Sequence, residues 1–150
     1  MLDLGDDENR FHPDWLTAVA GLLDEVEGAD GPRALVTTAT GRFWSNGLDL
    51  EWLSESSDQH AEFIDSVQVL LARVLTLPLV IVAACQGHVF AAGAMLALAH
   101  DARVLRVDRG WFCLPEVDIA IPFTPGMAAL IQSRLSPQIA HTAMTTGRRY

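Results

Sequence analysis

Three places in the chain combine residue types and spacing that chemistry can use. Glu116 follows Trp111-Phe112-Cys113-Leu114-Pro115, an apolar setting for a charge. Desolvation there raises a carboxyl pKa, and a carboxylate that titrates near neutrality is a competent general base. The same spacing fits a glutamate at a strand end that faces water. The other two places are Ser45-Asn46-Gly47-Leu48-Asp49 and the run from Cys85 to Met95, which is built almost wholly of small residues around Gly87 and Gly93. In each, an apolar run leads to a glycine turn and then to a helix start, where the first N–H groups lack an intrahelical partner. Two such donors converging on one point make an oxyanion hole, and a single donor of that kind is worth about 3–4 kcal/mol to a transition state. Taken singly, each junction also reads as an ordinary strand–helix turn.

Other chemistries find little support. Phe43-Trp44-Ser45-Asn46-Gly47 lacks the first glycine of the G-x-S-x-G nucleophile elbow. The glycines at 87 and 93 do not make G-x-G-x-x-G, and no P-loop is present. The five histidines, His12, His60, His88, His100 and His141, show no metal-ligand spacing and read as structural or exposed. No metal or redox cofactor is expected.

The elements that must position these residues follow from periodicity. Trp15, Leu16, Val19, Leu22, Leu23 and Val26 form a helical stripe over Pro13 to Val26, with Pro13 and Asp14 suited to a first turn and Gly28 to a stop. Ala34 to Thr38 reads as a buried strand, Thr40 to Gly47 as a loop, and Leu48 to Leu53 as a short helix with Asp49 at its N-terminal end. Glu55 to His60 is polar and reads as a mobile connection. Ala61 to Leu77 is a long helix ended by Pro78. Leu79 to Ala84 is a strand that turns on Gly87 and restarts as a helix near Gly93, running to about His100. Ala102 to Val107 alternates like a strand, Trp111 to Leu114 is a short apolar run, and helices follow at Met127–Leu135 and after Ser136-Pro137. Alternating strands and helices without an internal repeat predict one α/β domain.

The chain has 150 residues, half of them apolar, enough for one real core. A net charge of −9 without a basic cluster argues against nucleic-acid binding. Cys85 and Cys113 both lie in apolar runs and read as buried free thiols in a reducing compartment. The N-terminus lacks a signal-peptide pattern, and the apolar stretch from Val67 to Ala84 is interrupted by Arg73 and Pro78, so no membrane association and a cytoplasmic location are expected. Met1 to Leu4 reads as the middle of a strand and no terminating signal precedes Tyr150, so the chain is expected to be part of a longer protein.

In order and spacing, these segments resemble the enoyl-CoA hydratase/isomerase family, the crotonase superfamily, over essentially the whole chain. Phe43-Trp44-Ser45-Asn46-Gly47-Leu48-Asp49-Leu50 resembles its F-x-x-G-x-D-L motif. Gln86-Gly87-His88-Val89-Phe90-Ala91-Ala92-Gly93-Ala94 resembles N-G-x-x-x-G-G-G-x. Leu114 to Pro122 resembles P-E-x-x-x-G-x-x-P, and Thr145-Thr146-Gly147 the T-G that precedes the family's C-terminal part. The resemblance implies a crotonase-like α/β fold, a ClpP/crotonase spiral of ββα units, that lacks the first strand or two and the C-terminal helical part. It implies that the N–H groups of Leu48 and Ala92 hold a thioester oxygen and that Glu116 is the second of two hydratase glutamates. Arg10 and Phe11 would line the CoA site and Arg42 would lie near its phosphates, with Ser45, Gly47, Asp49, Leu50, Ala91 and Pro115 around the bound thioester. CoA would enter as part of an acyl-CoA substrate, and the assembly would be a homotrimer or a dimer of trimers.

One departure directs the reaction. Where the family's hydratases carry their first glutamate, three positions after Ala92, this chain has Met95. Methionine neither orients nor activates water, whereas a 3,2-trans-enoyl-CoA isomerase needs one base. The segments around Phe43 and Glu116 also look more like plant-type isomerases. The expected reaction is therefore isomerisation of 3-enoyl-CoA to 2-trans-enoyl-CoA in fatty-acid metabolism, with Trp44, Trp52 and Phe123 bordering the acyl path. The alternatives are enoyl-CoA hydration, with Glu51 or Asp118 as a replacement acid, and a non-catalytic acyl-CoA-binding subunit.

Overall fold

Leu35 and Thr37 on one strand, and Ile81, Ala83 and Cys85 on another, are buried while the residues between them are more exposed. That period of two sets the inner face of the main sheet. The structure, a computed structural model, describes residues 1–150. With strands numbered in chain order, the main sheet runs β1 (Leu2–Asp3), β3 (Ala34–Thr38), β6 (Val80–Cys85), β8 (Ala102–Leu105), all parallel. Ala34 pairs with Val80, and Val82 pairs with both Val36 and Ala102.

Shorter strands form two further parallel sheets. One pairs β2 (Arg10–Phe11) with β5 (Gly47–Leu48); the other orders β4 (Phe43–Ser45), β7 (His88–Phe90) and β9 (Phe112–Cys113). Each main-sheet strand is thus followed by a short strand of these smaller sheets and then by helix: α1 (Pro13–Gly28), α2 (Leu50–Glu55) with α3 (His60–Thr76), α4 (Ala92–Ala99), and α5 (Pro125–Arg134) with α6 (Pro137–Thr146). This is the expected α/β spiral of ββα units.

Sequence expectations change at three short strands here: Leu48 ends β5, and the helix expected to start from it begins at Leu50. The segment around Phe43 to Ser45 is a strand, not a loop, and His88 to Phe90 adds a strand where a plain turn into the helix was expected. Within Glu55 to His60, Ser57–Gln59 winds into a 3-10 turn. Strands of two or three residues are too short to display a period of two, and their partners lie far away in sequence.

The helices follow their stripes. His12 caps α1, its Nδ1 accepting the Asp14 N–H, and Leu16, Val19 and Leu23 are buried along one face. Phe63, Val67, Leu70, Leu71 and Val74 do the same for α3. All residues of α4 are buried, as an all-apolar helix requires, and it packs on α3 and α5 and against β4, β5 and β7. His100, at its C-terminal end, binds the Leu96 carbonyl through Nδ1 at 2.8 Å and Thr37 Oγ1 through Nε2 at 2.9 Å, which ties α4 to β3. Cys85 and Cys113 are buried free thiols, and burial pushes the Cys85 thiol up to about 12. No helix is long and apolar enough to cross a membrane.

Candidate active site

The two glycine junctions meet backbone to backbone. A Cβ placed on Gly93 would lie 2.6 Å from Ser45 Oγ, and one on Gly47 would lie 3.0 Å from the Ala92 nitrogen. Neither position tolerates a side chain, because each is where one strand–helix junction presses on the other. Ser45 fixes the approach: its buried hydroxyl donates to the Asn9 carbonyl at 2.8 Å and accepts the Gly47 N–H at 3.2 Å. The Asp49 N–H donates to the Phe11 carbonyl at 3.0 Å. Successive N–H groups of a strand point to opposite edges, so the Leu48 N–H turns away from β2. Ala92 is the first residue of α4, where an N–H has no intrahelical acceptor. Leu48, on β5, and Ala92, at the start of α4, thus each carry an N–H outside the hydrogen bonds just described, and both residues line one cavity.

Glu116 comes from the loop after β9. That loop is folded on itself: the Asp118 and Ile119 N–H groups both donate to the Pro115 carbonyl, at 2.9 and 3.2 Å, and the Ile121 N–H donates to the Glu116 carbonyl at 3.0 Å. Ala120 closes the turn at φ +55°. The Glu116 side chain is only 4% exposed and its Oε2 has no hydrogen-bond partner. Desolvation raises its pKa from 4.5 to about 7, against the smaller opposing effect of a hydrogen bond from its own backbone. A buried carboxyl with one oxygen unpartnered and a pKa raised to about 7 is equipped to accept a proton from a bound molecule.

Leu48, Ala92 and Glu116 line one cavity of about 710 Å³, together with Arg10, Leu50, Ala91 and Pro115. That volume suits a small organic ligand. Glu116 is the only carboxylate on the wall, and Met95 lines the same cavity. Arg10 is its only guanidinium, already paired with Glu8 at 2.6 Å and 3.8 Å from Asp49.

The remaining residues singled out in the sequence stand behind or outside this wall. Phe11 is fully buried and stacked on Trp15 at 4.6 Å, and Asp49 caps α2 by accepting the Trp52 N–H. Ser45 and Gly47 hold the junction rather than line the cavity. Arg42 is exposed, with its guanidinium 5.5 Å from the Phe43 ring centre.

Of the three aromatics expected along the acyl path only Phe123 lines the cavity; Trp44 is fully buried with its Nε1–H on the Thr37 carbonyl, and Trp52 packs on Phe63. Glu51 and Asp118, the replacement acids considered for hydration, are absent from the wall. Leu53, Ile64, Phe90, Ile119, Ile121, Pro122 and Met127 complete its apolar part and were not foreseen, and His60, read from the sequence as structural or exposed, also lines it. The hydrophobic stripe of α3 contains Ile64, but which flank of a stripe faces a cavity depends on helix crossing, which periodicity does not carry.

Comparison with known proteins places the chain in a family. The family model described as enoyl-CoA hydratase/isomerase matches residues 2–150. The chain is 38% identical to enoyl-CoA delta isomerase 3 of Arabidopsis thaliana, covering 91% of this chain and 59% of that protein. Identity to the peroxisomal enoyl-CoA delta isomerase 2 of the same plant is 35%, over 91% of this chain and 60% of that protein. Among solved structures, a probable enoyl-CoA hydratase, EchA3, of Mycobacterium tuberculosis superposes with a TM-score of 0.88 at 27% identity, over 96% of this chain and 61% of that one. The chain thus spans about 60% of the length of these relatives. With the ββα spiral, the paired junctions and the buried glutamate in the same order as the motifs, the chain belongs to the enoyl-CoA hydratase/isomerase family.

Proposed function

We propose that the protein isomerises 3-enoyl-CoA thioesters to 2-trans-enoyl-CoA, with Glu116 as a single base. The observation that carries this reading is the cavity wall: it has one carboxylate, Glu116, and a methionine, Met95, where a second acid would stand. The names of the Arabidopsis relatives support it. In the proposed cycle the Glu116 carboxylate takes a proton from C2. The electron pair moves into a dienolate whose oxygen is held by the Leu48 and Ala92 N–H groups. The Glu116 carboxylic acid then returns the proton at C4, leaving the double bond between C2 and C3. Charge develops on the thioester oxygen, which is where preorganised donors contribute most. A raised pKa also keeps Glu116 basic enough to take a carbon-bound proton.

The test is to give the purified protein 3-hexenoyl-CoA and crotonyl-CoA, alongside Glu116→Gln. The expected result is conversion of the first, abolished in the variant, with no hydration of the second. Hydration of crotonyl-CoA would favour a hydratase, and acyl-CoA binding without turnover would favour a binding subunit. A homotrimer, or a dimer of trimers, belongs to the same proposal and rests on the family resemblance, while a cytoplasmic location rests on Cys85 and Cys113 being free thiols, as suits a reducing compartment. Light scattering on a size-exclusion column measures the assembly, and a monomeric mass would remove that part.

A further inference from the structure

Ala91 is the N-cap of α4 and adopts φ +51°, ψ −126°. These are the angles of the first central residue of a type II′ turn, a position that favours glycine because a Cβ is strained there. The strain is not compelled by a hydrogen bond that needs the side chain: the Ala91 N–H donates to the Cys113 carbonyl and its carbonyl accepts the Met95 N–H, and glycine would keep both. Backbone strain held beside a reactive centre is a reason to ask what its side chain does.

The methyl group has a definite position. Ala91 lines the cavity, and it is half-buried while all eight residues of α4 after it are buried. A Cβ on Gly47 would come within 2.8 Å of the Ala91 Cβ, so the methyl fills the gap between the two junctions. It also directly precedes Ala92, whose N–H is one of the two donors. A carbonyl oxygen held by those donors would place the carbonyl carbon, and with it C2, in the part of the cavity that Ala91 lines.

We propose that the Ala91 methyl is a specificity determinant that excludes acyl-CoA thioesters branched at C2, and that the chain keeps a strained alanine there for this selectivity. A straight acyl chain carries only hydrogens at C2 and fits beside the methyl. A 2-methyl branch needs the same volume. One methyl group of misfit in an apolar site is enough to separate two ligands by about tenfold or more. The inference rests on the acyl-CoA reading above.

Binding separates the two claims without requiring turnover. Butanoyl-CoA and 2-methylbutanoyl-CoA, both saturated, are titrated calorimetrically into the wild type, Ala91→Gly and Ala120→Gly. Ala120 is also a positive-φ alanine and does not itself line the cavity, but it closes the turn between the wall residues Ile119 and Ile121, so it shows whether relief of backbone strain beside the cavity changes the preference. The wild type is expected to prefer the straight chain by about tenfold or more, Ala91→Gly to lose most of that preference, and Ala120→Gly to keep it. Both glycine variants should melt at higher temperature than the wild type, which shows that each folds. Equal preference in the wild type and Ala91→Gly overturns the proposal while leaving the acyl-CoA reading intact. Loss of preference in Ala120→Gly overturns it too, because strain rather than the methyl would then set selectivity. Failure of the wild type to bind either thioester overturns both.

Discussion

Burial of the Glu116 carboxyl disfavours its charged form, and the consequence for stability has a definite sign. The unfolded chain releases this proton near 4.5, whereas the folded protein holds it to about 7. The folded state therefore binds more protons across that window, and stability falls as pH rises through it, by about 3 kcal/mol for a shift of this size. Glu116→Gln removes the charge and with it the decline. Urea unfolding at pH 8 should find the variant more stable than the wild type by roughly 1–3 kcal/mol, with the difference gone at pH 4. A variant that is less stable at pH 8 would mean that the carboxylate is solvated or paired. Activity has the opposite dependence: the base must be ionised, so turnover should rise to a plateau above about pH 7. The burial that raises the Glu116 pKa towards neutrality, as the proposed base requires, also costs the fold stability there. Its apolar flank, Trp111 to Leu114, made this legible in the sequence. Ser45 was legible only as part of a motif, because its contribution, a hydroxyl shared between Asn9 and Gly47, depends on backbone that the sequence brings together from a distance.

At the scale of elements, the donors depend on where α4 and β3 are held, and His100 joins them. Burial lowers its pKa from 6.5 to about 4, so the folded protein refuses a proton that the unfolded chain accepts. Its contribution is complete above pH 6.5 and is lost as pH falls towards 4, about 3 kcal/mol across the window. Because Glu116 contributes with the opposite sign over the same window, the wild-type slope alone does not isolate His100: denaturation at pH 7, 6, 5 and 4 should find His100→Gln gaining stability relative to the wild type as pH falls, by about 3 kcal/mol, and a difference that does not change with pH would place the sensitivity elsewhere. Helices α1 and α3 and strands β3 and β6 could be read from the sequence because their apolar residues repeat over several turns or pleats. The short strands β2, β4, β5, β7 and β9 could not. A two-residue strand has no period, and what makes it a strand is its partner, as when Arg10 and Phe11 pair with Gly47 and Leu48. Trp44, taken as a border of the acyl path, lies in the core instead, on a short strand where both it and Ser45 are fully buried.

For the whole molecule, the spiral explains why residues far apart in sequence share one cavity. Each ββα unit places a short strand and a helix start at the same end of the main sheet, so Leu48, Ala92 and Glu116 arrive from successive units. The order of the motifs was visible in the sequence, while the cavity wall was not, because Leu53, Ile64, Phe123 and Met127 converge only through packing of α2, α3 and α5 with the loop between. The central claim is that one buried carboxyl both removes and returns the proton. It is tested most directly with 3-hexenoyl-CoA deuterated at C2, following the label in the 2-trans-hexenoyl-CoA product by NMR. A single base shielded from water should deliver part of the C2 deuterium to C4, and Glu116→Gln should form no product. Product from the variant at the wild-type rate, or product from the wild type with only solvent hydrogen at C4, would contradict a shuttle through Glu116.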